Sequence, residues 1–426
     1  MNFRVRSVLP IVVALVLATP AVGRSSAAAE PQDPESLFVS GRFELAERAF
    51  EARRASARDT LRPVRLAALR LLRNDTRGAR ALLEPLLAKR PDLVSARALL
   101  LEARTRELDF AGAVELASDL GREPFARQLA SFAGVVPYRL EGPERAEVRF
   151  VRTDPLPLVE ARLEGRGPFY FLIDTGGGEL LVDPVIADSL GAPRFGAQSG
   201  TFGGGRKRDV ELSRIGALAL GDVTIRDLPA TLLDCSRFSA AAGGKRVAGI
   251  LGTRVLMRFL ATLDYPGGKL VLERRAREPA ASDSGDVVVP MWLAGDHFVL
   301  ARGRMNDAPE ALWFVDTGLA GAAITAPASA LLESGIAVPD TSAAPSGMGG
   351  GGSMRVQFFP VSRFELGGAK AAELAGLFGP FPSFLERAFG YRIAGIVSHA
   401  FFRDWRVTFD FDRMRLVLAP PEASAK

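Results

Sequence analysis

The chain has 426 residues, 48% of them hydrophobic and 24% charged, with a net charge of +5. It is too long for one compact core, so two or three domains are expected. The basic excess rests on arginine, with no compact basic run, which argues against a nucleic-acid footprint and for scattered solvated side chains.

The N-terminus reads MNFRVRSVLPIVVALVLATPAVG. Arg4 and Arg6 precede a short apolar run, and Ala21 and Gly23 offer small residues for cleavage, so residues 1–23 read as a secretory signal peptide. Arginine-rich, alanine-rich usage points to a GC-rich bacterial genome, and the mature protein is expected in the periplasm or secreted, with no membrane span after cleavage. The single cysteine, Cys235, cannot make an internal disulfide and reads as a small buried apolar residue.

Residues 31–135 are rich in Ala, Leu and Arg and poor in β-branched residues, which predicts helices. Three segments share spacing: GRFELAERAF (41–50), NDTRGARALL (74–83) and LDFAGAVELA (108–117). Their common small residues are Ala46, Ala79 and Ala113, and Pro91 stands where the chain must turn after the second. The period resembles that of tetratricopeptide repeats, which are stacked helix pairs. The resemblance implies a groove for a peptide or protein partner.

From about residue 145 alternation replaces helical periodicity, and short strands with glycine turns run to the end. This half is doubled. FYFLIDTGGG (169–178) is answered by ALWFVDTGLA (311–320), each followed by a short helix pattern, at 183–191 and 326–336. A glycine-rich loop comes next in each, SGTFGGG (199–205) and SGMGGGGSM (346–354). AGILGTRVLMRFLATLDYPGGKLVL (248–272) then aligns without gaps to AGIVSHAFFRDWRVTFDFDRMRLVL (394–418). The features recur in the same order, so the half reads as two like lobes, 145–276 and 285–420. The fold class is thus a helical-repeat domain followed by a mainly-β, two-lobed domain.

One acid from each of two like lobes predicts a carboxylate pair. If the lobes face each other, Asp174 and Asp316 meet, cannot both ionise cheaply, and share a proton. Such a pair suits hydrolysis by an activated water: one carboxylate takes the water's proton while the other protonates the carbonyl oxygen. Gly176 and Gly318 let the backbone approach without a Cβ in the way. Thr175 and Thr317 can hydrogen-bond across the lobe interface. No cofactor or metal is called for. His297, in an alternating strand, and His399 read as structural, as do Asp264 and Asp410 before their turns.

Residues 145–420 resemble the pepsin-like and retropepsin-like aspartic protease clan through the two D-T-G loops, the glycine-rich loops and the Ile250-Leu251-Gly252 segment. The resemblance implies flap hairpins, through Thr201, Phe202, Gly203 and Gly204 and through Met348, Gly349 and Gly350, over an extended peptide substrate. The chain departs from the family pattern at Leu319, where a small residue is usual, and at Ser398, where the apolar-apolar-Gly segment would place glycine. An aspartic endopeptidase is expected. The alternative is an inactive protease-like peptide-binding module on a tetratricopeptide scaffold.

Overall fold

A computed structural model describes residues 33–421 except 55, 57, 58, 203–206, 241, 276–284, 343, 350, 351 and 383. The signal-peptide reading, and Gly203, Gly204 and Gly350 of the glycine loops, lie outside the described residues.

The helical part consists of antiparallel pairs: Pro34–Val39 with Phe43–Ala52, Leu61–Leu72 with Thr76–Lys89, and Val94–Arg106 with Phe110–Asp119, then the single helix Glu123–Ala130. The later two pairs repeat a local device. Asp75 and Asp109 cap the second helix of each by accepting from Gly78 N at 2.9 Å and Gly112 N at 3.0 Å. A Cβ on either glycine would collide with its capping carboxylate. Arg70 and Arg104 reach forward to the same two acids. Ala46, Ala79 and Ala113 are fully buried on the second helix of successive pairs, which lets neighbouring helices approach.

The β half begins earlier than the sequence pattern indicates, because strand Arg139–Glu141 already pairs with Val223–Leu232. Each lobe closes a ring of six strands. In the first, Leu158–Leu163, Arg166–Ile173, Val247–Leu251, Leu180–Val182, Val223–Leu232 and Lys207–Leu220 pair in turn, and the last returns to the first. In the second, Phe298–Met305, Ala311–Asp316, Gly395–Ser398, Ile324–Thr325, Ala369–Phe378 and Gln357–Leu366 do the same. Equivalent strands occupy equivalent places, down to Gly249 and Gly395. A Cβ there would strike the rings of Phe171 and Trp313 at 2.2 and 2.3 Å. Asp264 and Asp410 hold their turns, accepting from Gly267 N and Arg413 N.

A six-stranded antiparallel sheet joins the lobes, ordered Arg145–Arg152, Lys269–Glu273, Leu260–Asp264, Arg406–Asp410, Arg415–Ala419, Val287–Ala294. At its centre Thr262 faces its own equivalent, Thr408, with the hydroxyls 2.7 Å apart. The pseudo-two-fold axis passes between them.

The helices lie across both lobes. Phe38, Phe43 and Phe50 share a core with Trp292, Leu312, Phe314 and Tyr391 of the second lobe. Gln128, fully buried in the last helix, donates to Ser213 O at 2.7 Å and Ala230 O at 3.0 Å in the first lobe. One face of the helical layer is therefore used up as a brace on the β half. No described helix is long and apolar enough to cross a membrane.

Candidate active site

Both D-T-G loops begin at the end of an apolar strand laid parallel to a buried neighbour, Ile173 beside Leu251 and Asp316 beside Ser398. This seat fixes the acids rigidly, and the structure brings Asp174 and Asp316 into contact on the axis. Gly176 N donates to Asp174 Oδ1 at 2.7 Å, and Gly318 N to Asp316 Oδ1 at 2.8 Å. The glycines are required by the opposite lobe: a Cβ on Gly176 would lie 2.7 Å from the Asp316 carboxyl, and one on Gly318 only 2.1 Å from that of Asp174.

The threonines interlock beneath the acids. Thr175 Oγ1 donates to Val315 O at 2.9 Å and accepts from Thr317 N at 3.0 Å. Thr317 Oγ1 donates to Ile173 O at 3.2 Å and accepts from Thr175 N at 3.0 Å. Both residues have no solvent exposure.

Burial raises the Asp174 carboxyl above its ordinary value, against the opposing pull of hydrogen bonds from Asp316 and the Gly176 and Gly177 amides. Asp316 stands well above the usual carboxylate range, first through burial and then through the charge of Asp174 beside it. Both carboxyls keep partial access to solvent, and they titrate as one pair. Such a pair holds one proton to higher pH than a free carboxylate does, so an acid and a base can coexist at the same point.

The two departures from the family pattern find places in the structure. Ser398 Oγ accepts from Leu319 N at 3.1 Å and also donates to Asp316 O, so the serine hydroxyl ties down the second loop. Its equivalent, Gly252, cannot carry a side chain, because a Cβ would meet Glu179 O at 2.3 Å. Leu319 is half-buried in the loop without displacing either acid.

The flap segments are hairpins. Thr201 ends a strand opposite Lys207, and half-buried Phe202 packs toward the Val210 cluster of the first lobe. Met348 pairs with Ser353 and Gly349 with Gly352 in a separate two-stranded hairpin.

Sequence reasoning missed a charged junction beside the first loop. Arg254 is 3% exposed and pairs with Glu179 at 3.1 Å and Asp296 at 3.5 Å, and it donates to Thr105 O of the helical layer at 3.2 Å. Asp296 also holds His297 Nδ1 at 2.5 Å. His297 lies in the hairpin turn between Val287–Ala294 and Phe298–Met305, not in a strand as its alternating neighbours indicate; the strands end on either side of it. His399 is buried, with Nε2 on Asp154 Oδ1 at 2.9 Å. A signal was present: Asp154 and Asp296 are separated by the same 142 positions as Thr175 and Thr317.

A family model described as aspartyl protease matches residues 159–255, the part of the first lobe that carries Asp174 and Ile250–Gly252. Among solved structures, a retropepsin-like aspartic protease from Rickettsia conorii aligns at 15% identity over 32% of this chain and 94% of its own, with a TM-score of 0.23. No curated protein matches the chain. Through that family match the first lobe of this chain is similar to the aspartyl proteases, and the second lobe repeats its strand order and meets it at the D-T-G loops.

Proposed function

We propose that the protein is an exported aspartic endopeptidase, with Asp174 and Asp316 as its catalytic pair. The observation that carries this reading is the interlocked, fully buried Thr175–Thr317 arrangement, which supports two acids in contact on the lobe axis. A water between the carboxyls gives its proton to the ionised member as it attacks the peptide carbonyl. The protonated member donates to the carbonyl oxygen. No covalent intermediate forms: as the tetrahedral adduct collapses, the member now protonated gives its proton to the leaving amine nitrogen and a hydroxyl of the adduct returns one to the other carboxylate, so the pair ends with the single proton it began with. An extended peptide would lie beneath the hairpins through Thr201 and Met348, held by backbone hydrogen bonds.

The helical layer is proposed to recruit or position a protein partner on the face turned away from the lobes. Its other face is packed on Trp292, Phe314 and Tyr391, so the helices form part of the folded enzyme rather than a detachable cover.

The test is digestion of an unfolded protein from pH 3 to pH 8 by the wild type, Asp174→Asn and Asp316→Asn. Cleavage lost in both variants, with their folds intact, is the expected result. Cleavage that survives either substitution removes the assignment. Tight binding of peptide by a wild type that never cuts would replace it with the binding-module reading.

A further inference from the structure

The geometry points to His297 as a specificity-determining residue that binds a carboxylate side chain of the substrate. This rests on the protease reading above and adds a contact to it.

The turn that carries His297 belongs to the second lobe but lies against the loop of the first. A Cβ on Gly178, four residues beyond Asp174, would sit 3.1 Å from His297 Nδ1. The imidazole is thus within one residue's reach of the chain that carries the first acid. It is also held in place. Nδ1 is committed to Asp296 Oδ1 at 2.5 Å, and the ring rests on Phe298, with the centroids 3.8 Å apart. Asp296 is itself fixed by Arg254, the buried arginine under the first loop. The turn backbone is gripped from the helical layer by Arg106, which donates to Leu293 O at 3.1 Å and to Gly295 O.

What this support leaves open is the other nitrogen. The side chain is 17% exposed, and among the described residues its hydrogen bond is made through Nδ1, which leaves Nε2 open. With Nδ1–H directed at Asp296, the ring offers a second donor, Nε2–H, beside the first loop whenever it carries both protons, as it would on pairing with a substrate carboxylate. A donor that is already oriented, with its second nitrogen and its backbone both fixed, loses little freedom on binding.

The pseudo-symmetry indicates that this placement is more than a structural ion pair. The equivalent turn of the first lobe supplies Asp154, and its partner His399 reaches up from beneath the second lobe's loop. That histidine is 1% exposed and offers nothing to a substrate. The residue aligned with His297 is Pro155, which has no side-chain donor. The turn of one lobe therefore carries a partly exposed, anchored imidazole and that of the other does not. The acids facing His297 are Asp296, Glu179 and Asp174, and of these Glu179 and Asp296 already pair with Arg254, while Arg106 holds the turn from the helical layer. A substrate carboxylate would thus meet an oriented imidazole whose neighbouring acids are shared with Arg254.

The experiment uses the full chain. Fluorescent peptides spanning a cleavage site mapped in unfolded casein are synthesised with Glu, Gln or Ala at each position in turn. Cleavage is followed with the wild type, and binding with the Asp174→Asn variant, each with and without His297→Gln. A preference of about tenfold for Glu over Gln at one position, seen in KM and in the dissociation constant but not in kcat, is expected of a charge-assisted hydrogen bond. His297→Gln should abolish that preference, and His297→Lys, which restores a cationic donor, should return part of it; thermal melts check that each variant is folded. If the wild type cuts and binds but Glu and Gln are equivalent everywhere, or if the preference survives in His297→Gln, the inference is overturned and the protease reading stands. If no peptide is cut by the wild type or bound by Asp174→Asn, both fall together.

Discussion

Replacing Thr175 by Val tests whether the interlocked threonines hold the two lobes in register. The change removes one hydroxyl and adds a methyl, so the volume is nearly kept and the loss is polar. Two hydrogen bonds disappear, from Thr175 Oγ1 to Val315 O at 2.9 Å and from Thr317 N to Thr175 Oγ1 at 3.0 Å. Both lie at a site with no solvent exposure, so water does not replace the lost partner. A buried donor or acceptor left unpaired costs about 1–3 kcal/mol, so the variant should lose about 4 kcal/mol of unfolding free energy. The assay is urea denaturation followed by tryptophan fluorescence at a pH where the wild type is fully folded. Thr317→Val removes the reciprocal pair and should cost a similar amount. The double variant should lose less than the sum, because the first substitution already loosens the groups that the second one strands. A loss under about 0.5 kcal/mol, the scatter of ordinary surface changes, would refute the reasoning and leave the inter-lobe sheet as the real clamp.

Gly318→Ala places a methyl 2.1 Å from the Asp174 carboxyl, so cleavage should fall by about 100-fold or more while the fold survives, as read by activity beside a thermal melt. Asp316→Asn should change stability with a definite sign. The folded-state value of Asp316 is raised by burial and by Asp174, so its favourable term is complete below the unfolded value of about 4 and is lost as pH rises through the folded value. The variant should therefore melt above the wild type at neutral pH, and the gap should close below about pH 4; a gap that widens in acid would contradict this. Phe43→Ala, which empties a place among Phe38, Trp292 and Tyr391, should cost about 3–5 kcal/mol. Calorimetry should show the helical layer and the β half melting together, and two separated transitions would count against the brace.

Much of the site was legible because its requirements are local and occur twice. An apolar strand, an acid, a threonine and a glycine must be adjacent in the chain to make a rigid loop that a second loop can approach. Gly176 and Gly318 carry that requirement in their own identity, since the clash that forbids a Cβ is with the opposite acid. The six-strand rings were foreshadowed the same way, by repeated segments whose alternation follows the pleat. Ser398 reads in the sequence as a defect, yet in the fold it is a hydrogen-bonding member of the second loop, because its hydroxyl reaches Leu319 N.

Other features had no local signature. The early strand Arg139–Glu141 is polar and short, and it becomes a strand only because Val223–Leu232 offers a free edge. The helical layer reads as a free-standing repeat, but Phe38 and Phe43 find their aromatic partners more than two hundred residues away. His297 has an ordinary place in the alternation of its neighbours. Only the closing of the two lobes puts it against Gly178, and only Arg106 from the helices and Arg254 from the first lobe fix the turn it stands on. The doubled lobe, its two acids and the residues each loop needs can be read from the chain alone, because those are contacts within a few positions repeated in register. How the lobes, the helices and the charged junction meet emerges only on folding, because burial and ion pairing between distant segments depend on which surfaces come together and leave no period in the chain.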